Sequence, residues 1–140
     1  MNITDIKNKW LAMGPYLHSV LRIVAAFMFI LAGTTILFAF PTGMPPDGGT
    51  AKPMSQIWIG GVLEAFGGAL LLLGLFTRPV AFILAGEMAV AYFQFHFPQG
   101  FWPTMNSGVA AIIYCFVWLY FSATGPGVWS IDEWRAKRQR

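Results

Sequence analysis

Charged residues are scarce in this sequence. Asp, Glu, Lys and Arg together make up 11% of its 140 residues, whereas 56% of the residues are hydrophobic. A chain this poor in charge and this rich in apolar residues belongs to the integral membrane class. The net charge is +3, and no nucleic-acid-binding motif accompanies the basic residues. We therefore expect lipid phosphate or an acidic partner surface to face them, and no nucleic acid.

Cysteine occurs once, as Cys115, and histidine twice, as His18 and His96. One thiol cannot resolve a mixed disulfide within the chain, so we expect Cys115 to be a small core residue. The two histidines lie near opposite ends of the apolar runs, so they cannot hold one haem or zinc ion together. The sequence also has no phosphate-binding glycine loop, dinucleotide fingerprint or nucleophile elbow. We expect no metal and no intrinsic cofactor, and catalytic residues stay unknown.

Four apolar runs are present, at about residues 17–40, 55–76, 79–97 and 106–122. Each is long enough to cross the ~30 Å hydrocarbon layer as a helix. The short turn before Pro79 makes the second and third spans antiparallel neighbours. We predict one all-α membrane domain over residues 1–140, an antiparallel bundle of four transmembrane helices. Residues 41–53, rich in proline and glycine, form either a lid over the bundle or a plain connector.

Short interfacial helices are predicted at both termini. Ile3, Ile6 and Trp10 recur at helical spacing, and we expect Thr4 to cap this helix. A capping box at Ser130 starts the second short helix. Basic residues fall on one side of the predicted spans: Lys7, Lys9, Arg78, Arg135, Lys137, Arg138 and Arg140. The other side has only Lys52, offset by Asp47. The positive-inside rule therefore predicts that both termini are cytoplasmic.

Polar side chains within the spans form a predicted intramembrane cluster of Arg22, Glu64, Glu87 and Gln94. A carboxylate at that depth costs roughly 2.5 to 3.5 kcal/mol on insertion scales, so other groups are expected to face Glu64. Helix geometry puts Arg22 within easier reach of Glu87 than of Glu64. Desolvation favours the neutral acid, so we expect Glu64 to be protonated near neutral pH.

The first two spans each present a face of small residues that permits close helix packing. Arg22 shares its face with Ala26, Phe29 and Gly33, which points it into the bundle, although snorkelling to the headgroups is the alternative. Glu64 lies among paired glycines, at 60–61 and 67–68. The acids either clamp the helices together, or bind a quinone headgroup or relay a proton. His96, Trp102 and Tyr114 are candidate contacts for a quinone or a partner's pigment, and His96 alternatively bonds to water or loop backbone.

The chain resembles the DoxX family of small four-span bacterial membrane proteins along nearly its whole length. The resemblance rests on segments in order: Leu21–Ala26, Gly61–Gly68, Leu73–Pro79, Ala85–Ala89, His96, Gly100–Pro103 with Asn106, Tyr114–Phe116, Gly125–Gly127 and Trp129–Asp132. It implies a four-helix bundle in the bacterial inner membrane. It also implies association with quinone-linked oxidoreductases, including thiosulfate oxidation, or with oxidative-stress complexes.

The sequence departs from the family pattern at the outer ends of two spans. Residues 32–36 read Ala-Gly-Thr-Thr-Ile, where a His-Gly pair followed by Gln-Lys is frequent, and Val109 stands where an acid is frequent. Our leading interpretation is an accessory subunit that packs against and stabilises a larger membrane redox or energy-converting complex, in contact with lipids. The alternatives are a quinone-linked oxidoreductase subunit of the thiosulfate:quinone type in electron transport, or a small-molecule or proton carrier. Enzymatic activity stays open, and we expect none from the chain on its own.

Overall fold

The computed structural model describes residues 2–139, and these contain helices and loops without a β-strand. Met1 and Arg140, to which the predicted domain and the predicted basic side extend, lie outside the described residues. Six helices follow in order: α1 (Ile3–Ala12), α2 (Gly14–Phe38), α3 (Gln56–Leu73), α4 (Thr77–Gln99), α5 (Val109–Thr124) and α6 (Ile131–Arg138). The predicted all-α class is therefore confirmed.

Within residues 2–139, three helices are long and apolar enough to cross a membrane. They are α2, α3 and α4, with 25, 18 and 23 residues and mean hydropathies of 2.2, 1.6 and 1.4. The fourth apolar helix, α5, has 16 residues. It begins at Val109 rather than near residue 106, because the Asn106 side chain accepts a hydrogen bond from the backbone of Gly108 and holds a turn there. The protein is thus a helical membrane protein, and a fourth span stays a prediction.

The helix ends follow local capping chemistry. Asn2, not the predicted Thr4, caps α1, since its side chain accepts from the backbone of Asp5 while the Asp5 carboxylate accepts in return. The predicted cap at Ser130 is confirmed by a bond from the Glu133 backbone N–H to Ser130 Oγ. The α3–α4 turn starts at Gly74, whose φ of +66° favours glycine.

α2 and α3 pack closely through small residues, as their sequences predict. A Cβ atom on Gly33 would overlap the α3 backbone at Gly61 and Ala65. A Cβ atom on Gly68 would stand 2.8 Å from the Ile30 side chain. The buried face of α2 consists of Ser19, Arg22, Ala26, Phe29 and Gly33, which confirms the predicted burial of Arg22.

The second close pair is formed by α4 and α5, which pack along much of their length. Contacts between α3 and α4 concentrate in residues 63–73 of α3, next to the Gly74 turn, and fall away over residues 56–62. The two helices therefore diverge toward the end of the bundle that carries His96. We call this the His96 end, and the opposite end the Arg22 end.

Candidate functional site

The divergence of α3 and α4 leaves a cavity between them of about 520 Å³, which we call the α3–α4 groove. Its walls are mostly apolar: Ile36, Ile57, Ile59, Gly60, Leu63, Ile83, Val90, Ala91 and Phe95. Four polar residues complete the lining: Gln56, Glu64, Glu87 and His96. The lining side chains of Ile59, Ile83 and Val90 are also exposed on the outside of the bundle. The groove therefore opens sideways, on a surface that faces lipid.

Glu64 lies deep in the groove. It belongs to a π-helical turn, Leu63–Gly67, inside α3, and such turns change the direction in which side chains leave a helix. The side chain is 9% exposed, and Oε2 has no hydrogen-bond partner among the residues described. A buried carboxyl oxygen without a partner is uncommon in folded proteins and calls for an explanation.

Glu87 reaches the groove from α4. It is half-buried, and its Oε1 atom lies beside Gly60, where a Cβ atom would stand 3.3 Å away. Its Oε2 atom is buried without a partner within residues 2–139. Glu64 lies near enough for its charge to act on Glu87. The groove thus brings together the two acids that the sequence placed in one cluster.

His96 borders the groove from a second π-helical turn, Tyr92–His96, in α4. Its Nδ1 atom lies 3.0 Å from the backbone carbonyl oxygen of Asn106. A carbonyl oxygen only accepts, so Nδ1 carries the proton, and Nε2 of the neutral ring is an acceptor. The loop-backbone bond that the sequence offered as an alternative for His96 is therefore present.

A side-chain bridge connects the two diverging helices. The Gln56 amide at the start of α3 donates to the Gln94 side-chain oxygen on α4. Gln94 thus faces α3, although it does not line the groove. Sequence reasoning missed Gln56. The two glutamines are equally far along the chain from Leu75 in the α3–α4 turn, so their positions on two antiparallel helices could have indicated that they lie opposite each other.

The other two candidate contacts do not line the groove. Trp102 is 64% exposed and packs edge-to-face on Phe101, with ring centroids 5.1 Å apart. Tyr114 on α5 stacks on Trp118 and lies 5.0 Å from the Phe29 ring centroid. Glu64 is close enough to Tyr114 to interact electrostatically, so Tyr114 is a neighbour of the site rather than part of its lining.

Arg22 lies at the Arg22 end and bonds to backbone carbonyl groups instead of to the acids. Its donors reach the carbonyl oxygens of Leu71, Leu72, Pro126 and Trp129. Within residues 2–139, no ion pair joins Arg22 to either glutamate. Carbonyl groups in the last turn of a helix lack the usual i+4 donor. The guanidinium supplies donors to Leu71 and Leu72, and the Leu71 carbonyl oxygen also accepts from the Gly74 backbone N–H at 3.1 Å. The sequence suggested that Arg22 reaches toward Glu87, but its partners are these four carbonyl groups, which we call the carbonyl cage.

Asp132 closes the same end of the bundle, and sequence reasoning did not assign it this role. Its carboxylate accepts from the backbone N–H groups of Phe76 at 3.0 Å and Thr77 at 2.9 Å. Thr77 begins α4, so the acid occupies a helix N-terminus, where free N–H groups favour negative charge. The capping box at Ser130 was a signal for the helix but not for this contact.

The groove provides carboxyl, amide and imidazole groups on apolar walls, which suits binding or proton exchange rather than metal chemistry. In the part of the chain that the structure describes, no three His, Cys, Asp or Glu side chains are grouped to hold a metal ion. A ligand with an apolar body and one polar head matches the lining, because such sites combine apolar walls with a few oriented polar groups.

Comparison with known proteins identifies the family of this chain. The family model for DoxX matches residues 17–97, more than half of the chain. An uncharacterized protein of Haemophilus influenzae is 45% identical over 123 residues, which cover 85% of this chain and 90% of that protein. No solved structure matches the chain. The matched residues include Arg22 and the whole α3–α4 groove, and the chain belongs to the DoxX family.

Proposed function

We propose that this protein is a membrane subunit that holds the headgroup of a lipid-soluble quinone in the α3–α4 groove, on behalf of a larger redox complex. The observation that carries the proposal is the pair of unpartnered carboxyl oxygens, Glu64 Oε2 and Glu87 Oε2, in an otherwise apolar cavity. A purely structural clamp gains its stability from satisfied hydrogen bonds, and a partly satisfied one is costly. A ligand that forms hydrogen bonds with these oxygens explains them better.

The chemistry of the groove fits a quinone in both of its redox forms. Neutral carboxyl groups at Glu64 and Glu87 are O–H donors for quinone carbonyl oxygens, and His96 Nε2 accepts from a hydroquinone hydroxyl. A volume of about 520 Å³ lies within the usual range for small-molecule sites. The lateral opening lets an isoprenoid tail remain in lipid. Electrons would come from a partner subunit.

The accessory role remains a second candidate, and one surface favours it. At the His96 end, aromatic side chains are exposed in a contiguous stretch of the chain: Phe93, Phe95, Phe97, Phe101 and Trp102. Aromatic residues are enriched both at membrane interfaces and in protein interfaces. A larger membrane protein that covers this surface would be stabilised by the bundle without any use of the groove.

The membrane placement is part of the proposal. We take α5 as a fourth span, since 16 helical residues extend about 24 Å and a modest bilayer adjustment covers the difference. Arg78 and the described basic residues of both terminal helices lie at the Arg22 end. This supports an inner-membrane protein with both termini in the cytoplasm.

Quinone binding by purified protein in detergent tests the proposal. A short-chain quinone should bind the wild type, and Glu64→Leu and Glu87→Leu should each weaken binding at least tenfold, because they remove the donors. Glu133→Leu is the matched control, since Glu133 lies on α6 and pairs with Lys137, away from the groove. A wild type that binds no quinone, but copurifies stoichiometrically with a large membrane partner in native mass spectrometry, would favour the accessory role instead.

A further inference from the structure

We propose that the α3–α4 groove also binds lipophilic organic cations, such as quaternary ammonium or phosphonium ions, in exchange for protons on Glu64 and Glu87. The inference shares with the proposed function only the premise that the groove is a ligand site. It requires no quinone and no redox partner.

The first argument is the charge balance of the lining. Its ionisable side chains are two carboxyl groups and one imidazole, and no Lys or Arg is among the lining residues. Arg22, the basic residue buried in the bundle, donates to backbone carbonyl groups at the other end. No described basic side chain pairs with either glutamate within ion-pair distance. The site therefore has acidic groups and lacks a counter-charge of its own.

The second argument is the burial of Glu64. Its side chain is 9% exposed, lines the cavity, and has an oxygen with no partner among the described residues. The ionisable groups that share the groove with it are Glu87 and His96 from α4. Tyr114 on α5 is near enough to interact with its charge, while α2 contributes only Ile36 to the lining. An ionised carboxylate without a partner is costly there, and a bound cation removes that cost.

Proton exchange follows from this arrangement. In the empty groove a carboxyl group holds its proton, because nothing else compensates its charge. When a monovalent cation enters, one O–H bond ionises and one proton leaves to solvent. The charge of the groove is then unchanged, and the second carboxyl group keeps its proton.

The walls select a bulky organic cation over a metal ion. Ca²⁺ and Mg²⁺ require six or more oxygen ligands or retained waters, whereas nine of the groove's thirteen lining residues are apolar. A quaternary cation has no N–H groups to satisfy and carries apolar substituents that match those walls. Phe95 adds a ring on which a cation can rest. The lateral opening admits a molecule that is dissolved in the bilayer.

The test uses tetraphenylphosphonium and the full-length protein in detergent. Isothermal titration in buffers of different ionisation enthalpy should show binding with release of about one proton per cation, and binding should weaken as pH falls. The double variant Glu64→Gln/Glu87→Gln removes both ionisable groups and keeps polar amides, so it should weaken cation binding at least tenfold, whereas each single variant keeps one carboxyl group that can ionise. Glu133→Gln on α6 is the matched control and should bind like the wild type.

The two proposals fail separately. Glutamine keeps an N–H donor, so the double variant Glu64→Gln/Glu87→Gln should retain quinone binding while it loses the cation, whereas Glu64→Leu should lose quinone binding. A wild type that binds quinone but not tetraphenylphosphonium overturns the cation proposal alone. Cation binding without proton release also overturns it, and this result is measured on the wild type, so it does not depend on how well a variant folds. Equal binding by the wild type and the double glutamine variant overturns it as well, because a variant that binds equally well is folded.

Discussion

The Arg22 guanidinium donates from Nε to the backbone carbonyl oxygen of Pro126 across 2.8 Å. The two residues lie at opposite ends of the chain, and Arg22 is fully buried. Further donors of Arg22 reach the last turn of α3 and the backbone at Trp129. One side chain thus joins α2, α3 and the segment before α6, and this contact closes the Arg22 end of the bundle.

Replacement of Arg22 should destabilise the bundle strongly. Arg22→Met removes the side-chain donors of four buried or part-buried carbonyl groups. An unsatisfied buried acceptor costs about 1–3 kcal/mol, so we expect a loss of about 3 kcal/mol or more. Arg22→Lys keeps the charge but lacks the five N–H donors of the guanidinium, so its stability should lie between those of the wild type and Arg22→Met. Thermal unfolding in detergent, followed by circular dichroism, measures this. Equal stability of the wild type and Arg22→Met would show that the hydrogen bonds of the carbonyl cage do not stabilise the bundle.

The close contact of α2 and α3 predicts a difference between two glycines. Gly33→Ala places a Cβ atom against the α3 backbone, so it should lower the unfolding temperature by several degrees. Gly86→Ala is the matched control, because nothing lies within 4 Å of its Cβ position, and it should be neutral or stabilise by about 0.5–1 kcal/mol through helix propensity. The helices would not be packed as described if the two changes had the same effect.

Asp132 should hold the C-terminal helix against the α3–α4 turn. Asp132→Ala removes the acceptor for two backbone N–H groups and should cost about 1–2 kcal/mol, as other N-terminal caps do. Trypsin should then cleave at Arg135 and Lys137 faster than in the wild type. Glu133→Ala breaks only an exposed pair with Lys137, which is worth about 0–1 kcal/mol, and its cleavage rate is the reference for the comparison.

Glu64 should be protonated in the empty groove at neutral pH. Infrared spectra of the wild type should contain a carbonyl stretch of a protonated carboxyl group that Glu64→Gln removes, because an unpartnered charge is costly at that depth. Tetraphenylphosphonium should reduce the same band. The prediction fails if the two spectra coincide in that region.

The proposed orientation can be measured by cysteine labelling. Cys115 is the sole cysteine, so Cys115→Ser provides a background for Lys52→Cys and Lys137→Cys at opposite ends of the bundle. A membrane-impermeant thiol reagent on intact cells should label position 52 and not position 137. The reverse pattern would place the termini outside the cytoplasm.

Periodicity and composition were sufficient for the helices and their inward faces. The burial of Arg22, Ala26, Phe29 and Gly33 follows from one stripe on α2, and the Ser130 cap from a short motif. The same reasoning placed the α1 cap at Thr4 instead of Asn2, because both residue types are good caps and only the backbone conformation distinguishes them.

The sequence by itself determined that the chain is helical, belongs in a membrane and carries two acids at the depth of its spans, since these follow from apolar runs and residue spacing. Only the tertiary structure decided what those acids face. Arg22 bonds to carbonyl groups that every residue possesses, so no sequence pattern marks its partners. The groove exists because α3 and α4 diverge beyond the Gly74 turn, and the angle between two helices depends on the packing of all their neighbours. That divergence leaves Glu64 and Glu87 in a cavity with oxygens that have no partner among the described residues.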